Sequence, residues 1–165
     1  MTASLKRQQS QEDDILVALQ SMATINNAID YMTADLQAAV HAATDITGFG
    51  FSGHSMQLAN ASQVTLSIQA EKLPRFTKTF SCLERSFLTK AHRTNAEYTE
   101  PNIDVSNLDQ LHRLLIHDPQ TSGGLLLSVS PAVSHAMIQA LRSKFKSAEI
   151  VGQVLPRQHK ALVFE

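Results

Sequence analysis

The sequence predicts an α+β or mixed α/β layered domain, and three features of the chain indicate it. Apolar residues recur every three or four positions near the start of the chain, which is the helical period. Short apolar or β-branched runs then alternate with further helical segments, and two such runs close the chain. This order argues against a doubly wound parallel sheet. At 165 residues the chain fits one domain that buries roughly 70% of its unfolded surface.

The first half of the chain is predicted to contain three helices and two strands. Residues 1–11 are expected to be frayed, and the single domain is expected to span residues 12–165. A helix that is apolar on two sides is packed on two sides, which we expect of the third helix. The predicted elements are a helix from Glu12 to Ala23, a short helix over Ala28–Met32, a buried strand over His41–Asp45, a helix over Phe49–Ala61 and a half-buried strand over Val64–Gln69.

The second half is predicted to contain three helices and three strands around one long loop. Ser130 and Pro131 form a helix start, since proline is favoured at the first helical position. The closing strands are expected to pair as a hairpin through a turn at residues 156–160. The predicted elements are a helix over Phe80–Leu88, a loop over Thr89–Asn107, a helix over Leu108–Ile116, a buried strand over Leu125–Val129, a helix after Pro131 and strands over Ala148–Leu155 and Ala161–Phe164.

Composition and charge exclude several classes of partner. Fourteen basic and fifteen acidic residues give a formal net charge of −1, whereas a nucleic-acid-binding domain needs a basic face. No apolar run approaches the roughly 18 residues that cross a bilayer, and the start of the chain carries no apolar signal segment. The single cysteine, Cys82, suits a reducing compartment. We therefore expect a cytoplasmic protein without nucleic-acid or membrane partners.

Two glycine-containing loops hold five of the six glycines and are the main functional signal. In the first loop, Asp45 precedes a predicted helix start, where unpaired N–H groups attract a phosphate. A carboxylate there suits a magnesium ion that bridges phosphate oxygens. The candidate phosphate or nucleotide ligands are Thr44, Thr47, Gly48 and Gly50, and the candidate metal ligand is Asp45. The structural alternative is that Asp45 or Thr47 caps the helix and the glycines only form the turn.

The second loop has a similar composition and a stronger structural alternative. Its candidate residues are Asp118, Thr121, Ser122, Gly123 and Gly124. Aspartate before proline starts a turn, and hydroxyl side chains bond their own backbone there. Two consecutive glycines then allow tight entry into a strand. A turn without a ligand is therefore the favoured interpretation of this loop.

Together the loops resemble two signatures of selenophosphate synthetase (selenide, water dikinase), in its C-terminal domain. The resemblance covers essentially the whole chain. The stretches that carry it are His41–Gly50 with Gly53 and His54, Asp118–Leu127, and Ile150–Val154. Aminoimidazole ribonucleotide synthetase, thiamine-phosphate kinase and a hydrogenase maturation factor share that family's fold, but they lack the Asp118–Gly124 string.

The resemblance implies a three-layer α/β/α domain with a mixed sheet. It also implies ATP-dependent conversion of selenide to selenophosphate, with release of AMP and phosphate and with magnesium. Asp45 matches an aspartate that completes a magnesium site built mainly by an N-terminal half. That half carries the family's reactive cysteine or selenocysteine, its essential lysine and the usual dimer surface.

Two departures from the family limit what the resemblance implies. The N-terminal half is absent from this sequence, so Cys82 does not take the role of the reactive cysteine and we expect the chain alone to be inactive. Residues 90–95 lack the glycines of a family segment, so contacts from that segment are not carried over. The alternative to a synthetase domain is a stand-alone, non-catalytic nucleotide-binding or regulatory module with the same fold.

Overall fold

The computed structural model describes residues 2–165, with the exception of the side chains of Thr2 and Asp14. Met1, part of the segment expected to be frayed, lies outside this range. Within it the α-helices are α1 (Thr2–Lys6), α2 (Glu12–Met22), α3 (Ala34–Ala38), α4 (Gly50–Ala61), α5 (Thr79–Glu84), α6 (Lys90–Thr99), α7 (Gln110–His117) and α8 (Ser134–Leu141). The strands are β1 (Val40–Asp45), β2 (Val64–Ile68), β3 (Ile103–Asp104), β4 (Leu125–Val129), β5 (Gly152–Pro156) and β6 (Leu162–Phe164).

The six strands form two sheets. Strands β1 and β4 pair antiparallel as a two-stranded sheet. The larger sheet has the order β3-β6-β2-β5, in which β2 is antiparallel to β5 and parallel to β6, and β3 is parallel to β6. The α+β class and the mixed sheet are confirmed. The division into two sheets was not predicted.

Helix α4 lies at the centre of the domain. It contacts both sheets through β1 and β2, and it also packs against α6 and α7. Phe51, Met56 and Ala59 are buried in the main core, where the Phe51 ring meets Phe164 with ring centroids 6.5 Å apart. The prediction that this helix packs on two sides is confirmed. A second, smaller core lies between α3, α8 and the two-stranded sheet.

Predicted burial was wrong for the three main strands. Strands β1 and β4 were expected to be buried, but each is at most half-buried along its length. Strand β2 was expected to expose one face, yet Thr65 and Ser67 are buried as well as Leu66 and Ile68. The Thr65 hydroxyl donates to the Lys160 carbonyl at 2.6 Å, and the Ser67 hydroxyl donates to the Glu165 carboxylate. Polar residues in alternation therefore do not mark a solvent face here, because both hydroxyls are paired inside the protein.

The predicted loop over residues 89–107 was wrong. This stretch contains α6, a 3₁₀ turn over Glu100–Asn102 and β3. Helix α6 buries His92, Asn95 and Thr99, which are polar side chains. Hydrophobic periodicity misses a helix of this kind, because its inward face carries hydrogen-bonding groups instead of apolar ones. The segment expected to be frayed also contains a short helix, α1.

The predicted hairpin between the two closing strands was also wrong. Strands β5 and β6 lie on opposite sides of β2, so that Leu66 faces Val154 on one side and Leu162 on the other. Residues 157–161 carry the chain across β2 to its other side. Strand β6 is interior, with Leu162 fully buried and Phe164 nearly so. No helix among residues 2–165 has the length and apolar character needed to span a bilayer.

The sheet order predicts unequal effects of truncation in β5 and β6. Leu162→Ala is expected to lower the free energy of unfolding by about 2–5 kcal/mol, because it opens a cavity between β2 and β3. Val154→Ala, on the edge strand at a side chain that is 47% exposed, is expected to cost less than about 1 kcal/mol. Urea unfolding followed by circular dichroism measures both. Equal losses for the two variants would contradict the interior position of β6.

Candidate functional site

The two glycine-containing loops lie directly against each other. Antiparallel pairing of β1 with β4 places Asp45 opposite Leu125. Beyond the strand ends, the Ile46 N–H donates to the Gly124 carbonyl at 2.9 Å and the Gly123 N–H donates to the Ile46 carbonyl at 3.0 Å. The Gln120 N–H donates to the Thr47 carbonyl at 3.1 Å. The loops therefore form one continuous structure, which we call the paired loops (residues 44–50 and 118–124).

Asp45 is the exposed acidic group of the paired loops. It lies at the end of β1, and its Oδ1 accepts a hydrogen bond from Asn26 Nδ2 at 3.0 Å. Thr44, beside it, is half-buried and donates weakly to the Asp45 carbonyl at 3.4 Å. The Asp45 carboxylate thus has one oxygen held by the protein and one side turned to solvent.

Neither Asp45 nor Thr47 caps the following helix. Helix α4 begins at Gly50 with Phe49 as its N-cap residue and with no side-chain cap bond. The Thr47 hydroxyl instead hydrogen-bonds His54 Nε2 at 2.9 Å, one turn into the helix. The structural alternative that made these residues helix caps is therefore wrong. The N–H groups of Gly48 and Phe49 have no acceptor within residues 2–165.

The glycines of the first loop have different roles. Gly50 has a φ of +68°, and a Cβ built there lies 3.0 Å from the Ile116 and Asp118 carbonyl oxygens. Gly50 is therefore required by the backbone conformation and by the close approach of the end of α7. Gly48 is exposed, and a Cβ built there has no atom within 4 Å. Only Gly48 leaves open space where a ligand can approach the backbone.

The second loop is held by contacts within the protein, and only part of it is exposed. A Cβ on Gly123 would lie 2.4 Å from the Ile46 carbonyl oxygen, so this glycine permits the loops to meet. The Ser122 hydroxyl donates to the Met22 carbonyl at 3.3 Å. Asp118 is half-buried, and burial raises the pKa of its carboxyl. Thr121 and Gly124 are exposed, and a Cβ built on Gly124 has no atom within 4 Å.

Asn95 supports the paired loops and is a residue that the sequence analysis missed. Its side chain is buried in α6 and donates to the Gly48 carbonyl at 2.9 Å and to the His117 carbonyl at 3.1 Å. One amide thus holds Gly48 within the first loop and the residue just before the second loop. Asn95 was not selected in the sequence analysis, because residues 90–95 depart from the family segment and were placed in a predicted loop.

Two buried histidines lie beside Asn95. His117 Nδ1 hydrogen-bonds the Ser52 hydroxyl at 2.8 Å, and His92 Nε2 bonds the Leu114 carbonyl at 2.8 Å. Their ring centroids are 6.1 Å apart. Burial, with a smaller effect of His92, lowers the pKa of His117 to about 4. These polar contacts fasten α4, α6 and α7 together beneath the paired loops.

His54 lies closer to the surface of the site. Burial lowers the pKa of its ring, and the negative charge of Asp45 acts in the opposite direction. Its ring meets the edge of Phe49, which is 48% exposed and also contacts Tyr98. The Thr47–His54 hydrogen bond is therefore covered on one side by an aromatic side chain.

The described residues do not assemble a complete metal centre. Within residues 2–165, no group of three or more histidine, cysteine, aspartate or glutamate side chains is placed to hold a metal ion. Asp45 could therefore be only one ligand of such a site, and the other ligands would come from outside the described residues.

Comparison with known proteins decides the family. A family model described as AIR synthase related protein, C-terminal domain, matches residues 1–165. The chain belongs to this family. This AIR synthase related domain is 70% identical over 165 residues to selenide, water dikinase from Nitrosomonas eutropha, and 68% identical to the enzyme of that name from Bdellovibrio bacteriovorus. The resemblance to selenophosphate synthetase is thereby confirmed. The domain spans 47% of the length of each relative and is fully covered by both matches.

Solved structures confirm the fold. Hydrogenase maturation protein HypE in complex with ATP superposes with a TM-score of 0.56 at 16% identity, over 88% of the domain and 38% of that chain. A second HypE structure gives a TM-score of 0.53 at 15% identity, over 82% of the domain and 35% of that chain. At this identity the likeness establishes a shared fold.

The different surroundings of Gly48 and Gly50 give a first testable prediction for the site. Gly50→Ala is expected to lower the free energy of unfolding by about 1–3 kcal/mol, because alanine must adopt a positive φ and crowd the end of α7. Gly48→Ala, the matched control, is expected to change it by less than about 0.5 kcal/mol. Chemical unfolding of both variants measures the difference. A destabilised Gly48→Ala variant beside a stable Gly50→Ala variant would contradict the geometry.

Burial of His117 predicts a loss of stability in acid. In the folded protein the pKa of His117 is lowered from 6.5 to about 4. Between these two pH values the unfolded state therefore binds more protons at this residue. The contribution of His117 to the free energy of unfolding is therefore fully present above pH 6.5 and is lost as the pH falls towards 4. A difference of one proton gives a slope of about 1.4 kcal/mol per pH unit.

Replacing His117 should remove that slope. His117→Asn keeps an acceptor for Ser52 and is expected to reduce the pH dependence of the unfolding free energy by up to about 1.4 kcal/mol per pH unit. His135→Asn changes an exposed histidine of α8 and is the control. Urea unfolding at intervals from pH 7.5 to 4.5 provides the measurement. An unchanged slope in His117→Asn would assign the acid sensitivity to other groups.

Proposed function

We propose that this domain is the C-terminal part of an ATP-dependent selenide, water dikinase and supplies part of its Mg-ATP site. The reaction converts selenide, ATP and water to selenophosphate, AMP and phosphate. The observation that carries the proposal is the meeting of both signature loops at one exposed carboxylate, Asp45. The names of the two relatives near 70% identity support the activity.

The residues present fit a magnesium-bound phosphate. Magnesium prefers carboxylate oxygen, and Asp45 offers an exposed carboxylate that is already oriented on one side. The free N–H groups of Gly48 and Phe49 lie at the start of α4, where the helix dipole favours negative charge. When bound, the ion offsets charge on the phosphates. In this proposal the loop holds phosphate oxygens through its backbone, with Thr44, Thr47 and Gly48 on its surface.

The remaining metal ligands are proposed to come from another domain of a longer protein, since this domain spans 47% of the length of the two selenide, water dikinases named above. A magnesium site uses one or two carboxylates together with substrate phosphates and water. Asp45 therefore needs these further ligands to hold Mg²⁺ firmly. Catalysis of phosphoryl transfer depends mainly on positioning of the reacting groups. The isolated domain is therefore expected to release no AMP from ATP and selenide. We place the longer protein, as a homodimer, in the cytoplasm.

Replacement of Asp45 tests the proposal. Asp45→Asn keeps the shape of the side chain and an acceptor for Asn26, but it removes the charge that holds the ion. The domain should therefore be as stable as the parent in a thermal melt. In the longer protein, or in a fusion to the remaining half of the Nitrosomonas eutropha relative, magnesium-dependent AMP release should fall by orders of magnitude.

The matched control is Asp35→Asn, which removes an exposed carboxylate from α3. It should leave AMP release unchanged across a magnesium titration. Normal turnover in Asp45→Asn would exclude Asp45 from the metal site. A domain that also loses stability would assign Asp45 a structural role.

A further inference from the structure

The segment between α2 and a 3₁₀ turn over Ala28–Tyr31 is attached to the paired loops. The Met22 carbonyl at the end of α2 accepts a hydrogen bond from the Ser122 hydroxyl. Four residues later, Asn26 Nδ2 donates to Asp45 Oδ1 and to the Gly123 carbonyl, both at 3.0 Å. Asn26 is thus the side chain that contacts both the candidate metal ligand and the second loop.

The chemistry of these two bonds is specific to a primary amide. Both partners of Asn26 Nδ2 are oxygen acceptors, so this atom must be the NH₂ group, with one hydrogen for each acceptor. An aspartate at this position would present a second negative charge to Asp45. A serine or threonine hydroxyl has a single hydrogen and could serve only one of the two partners.

The contact also determines which part of Asp45 remains free. An exposed aspartate otherwise samples several rotamers, and holding one of them costs conformational entropy. Asn26 donates to Oδ1, which restricts rotation of the carboxylate, and Oδ2 has no hydrogen-bond partner among the described residues. The hydrogen bond to the Gly123 carbonyl holds the same amide against the second loop. The position of the Asp45 carboxylate is thereby linked to that loop.

We propose that Asn26 is a positioning residue that orients the Asp45 carboxylate towards the metal ion and links it to the second loop. The inference rests on the proposed function of Asp45. Partners that orient metal ligands typically change metal affinity or activity 10- to 100-fold when they are removed. In this proposal Asn26 acts through Asp45, because its NH₂ group donates to the carboxylate.

The neighbouring residue provides a matched control. Asn27 belongs to the same segment, but its Nδ2 donates to Asp30 Oδ2 at 2.6 Å, and no hydrogen bond joins its side chain to the paired loops within the described residues. Asn26→Ala and Asn27→Ala remove the same atoms from adjacent positions. A general loosening of the segment would affect both variants, whereas a positioning role affects Asn26→Ala alone.

The experiment uses the longer protein or the fusion described above, with two measurements. The first is the dissociation constant for Mn²⁺ in the presence of ATP without selenide, from the electron paramagnetic resonance signal of the free ion. The second is the magnesium dependence of AMP release. In Asn26→Ala, the Mn²⁺ dissociation constant and the half-saturating Mg²⁺ concentration should rise 10- to 100-fold. The maximal rate at saturating Mg²⁺ should fall much less, because excess ion compensates for weak binding.

A double-mutant cycle separates this inference from the proposed function. If Asn26 acts through Asp45, adding Asn26→Ala to Asp45→Asn should weaken Mn²⁺ binding no further than Asp45→Asn alone. Mn²⁺ binding that is unaffected by Asp45→Asn would overturn the proposed function. Weakened binding in Asp45→Asn, with Asn26→Ala no different from Asn27→Ala, would overturn the role of Asn26 alone. Additive losses in the double variant would also overturn it.

Discussion

The candidate site depends on the antiparallel pairing of β1 with β4. This ladder joins two segments about 80 positions apart in the chain, and the hydrogen bonds between Ile46 and Gly123–Gly124 extend it into the loops. Because the strands are short and only half-buried, the pairing relies on support from elsewhere. Gly50 supplies part of it by letting α4 start directly against the end of α7.

A buried polar network supplies further support. Asn95, His92, His117, Ser52 and Thr99 are all buried and all hydrogen-bonded. Such a network fixes one arrangement of helices, since each broken bond would leave a buried polar group without a partner. The same network is sensitive to acid, because a buried neutral imidazole is protonated more readily once the domain unfolds.

The sequence predicted elements better than it predicted contacts. Hydrophobic periodicity located α2, α4 and α7, and short apolar runs located β1 and β4, because each of these patterns is local. Helix α6 was not predicted because its buried face is polar. The predicted closing hairpin was wrong because strand pairing is decided by long-range packing. The same distinction holds for the site. Local motifs predicted Asp45 and Gly48 as candidate site residues, whereas Asn26 and Asn95 were missed because their partners lie far along the chain.

The interior position of β6 has a consequence for the order in which the domain forms during synthesis. Among residues 2–165, strand β3 pairs with β6 alone, and β6 consists of residues 162–164, so β3 gains its neighbour in the sheet when those residues have left the ribosome. Until then the emerging chain exposes the apolar surface that Leu162 and Phe164 later cover. Exposed apolar surface and an unpaired strand make an incomplete chain prone to aggregation, so completion of β6 also protects the domain.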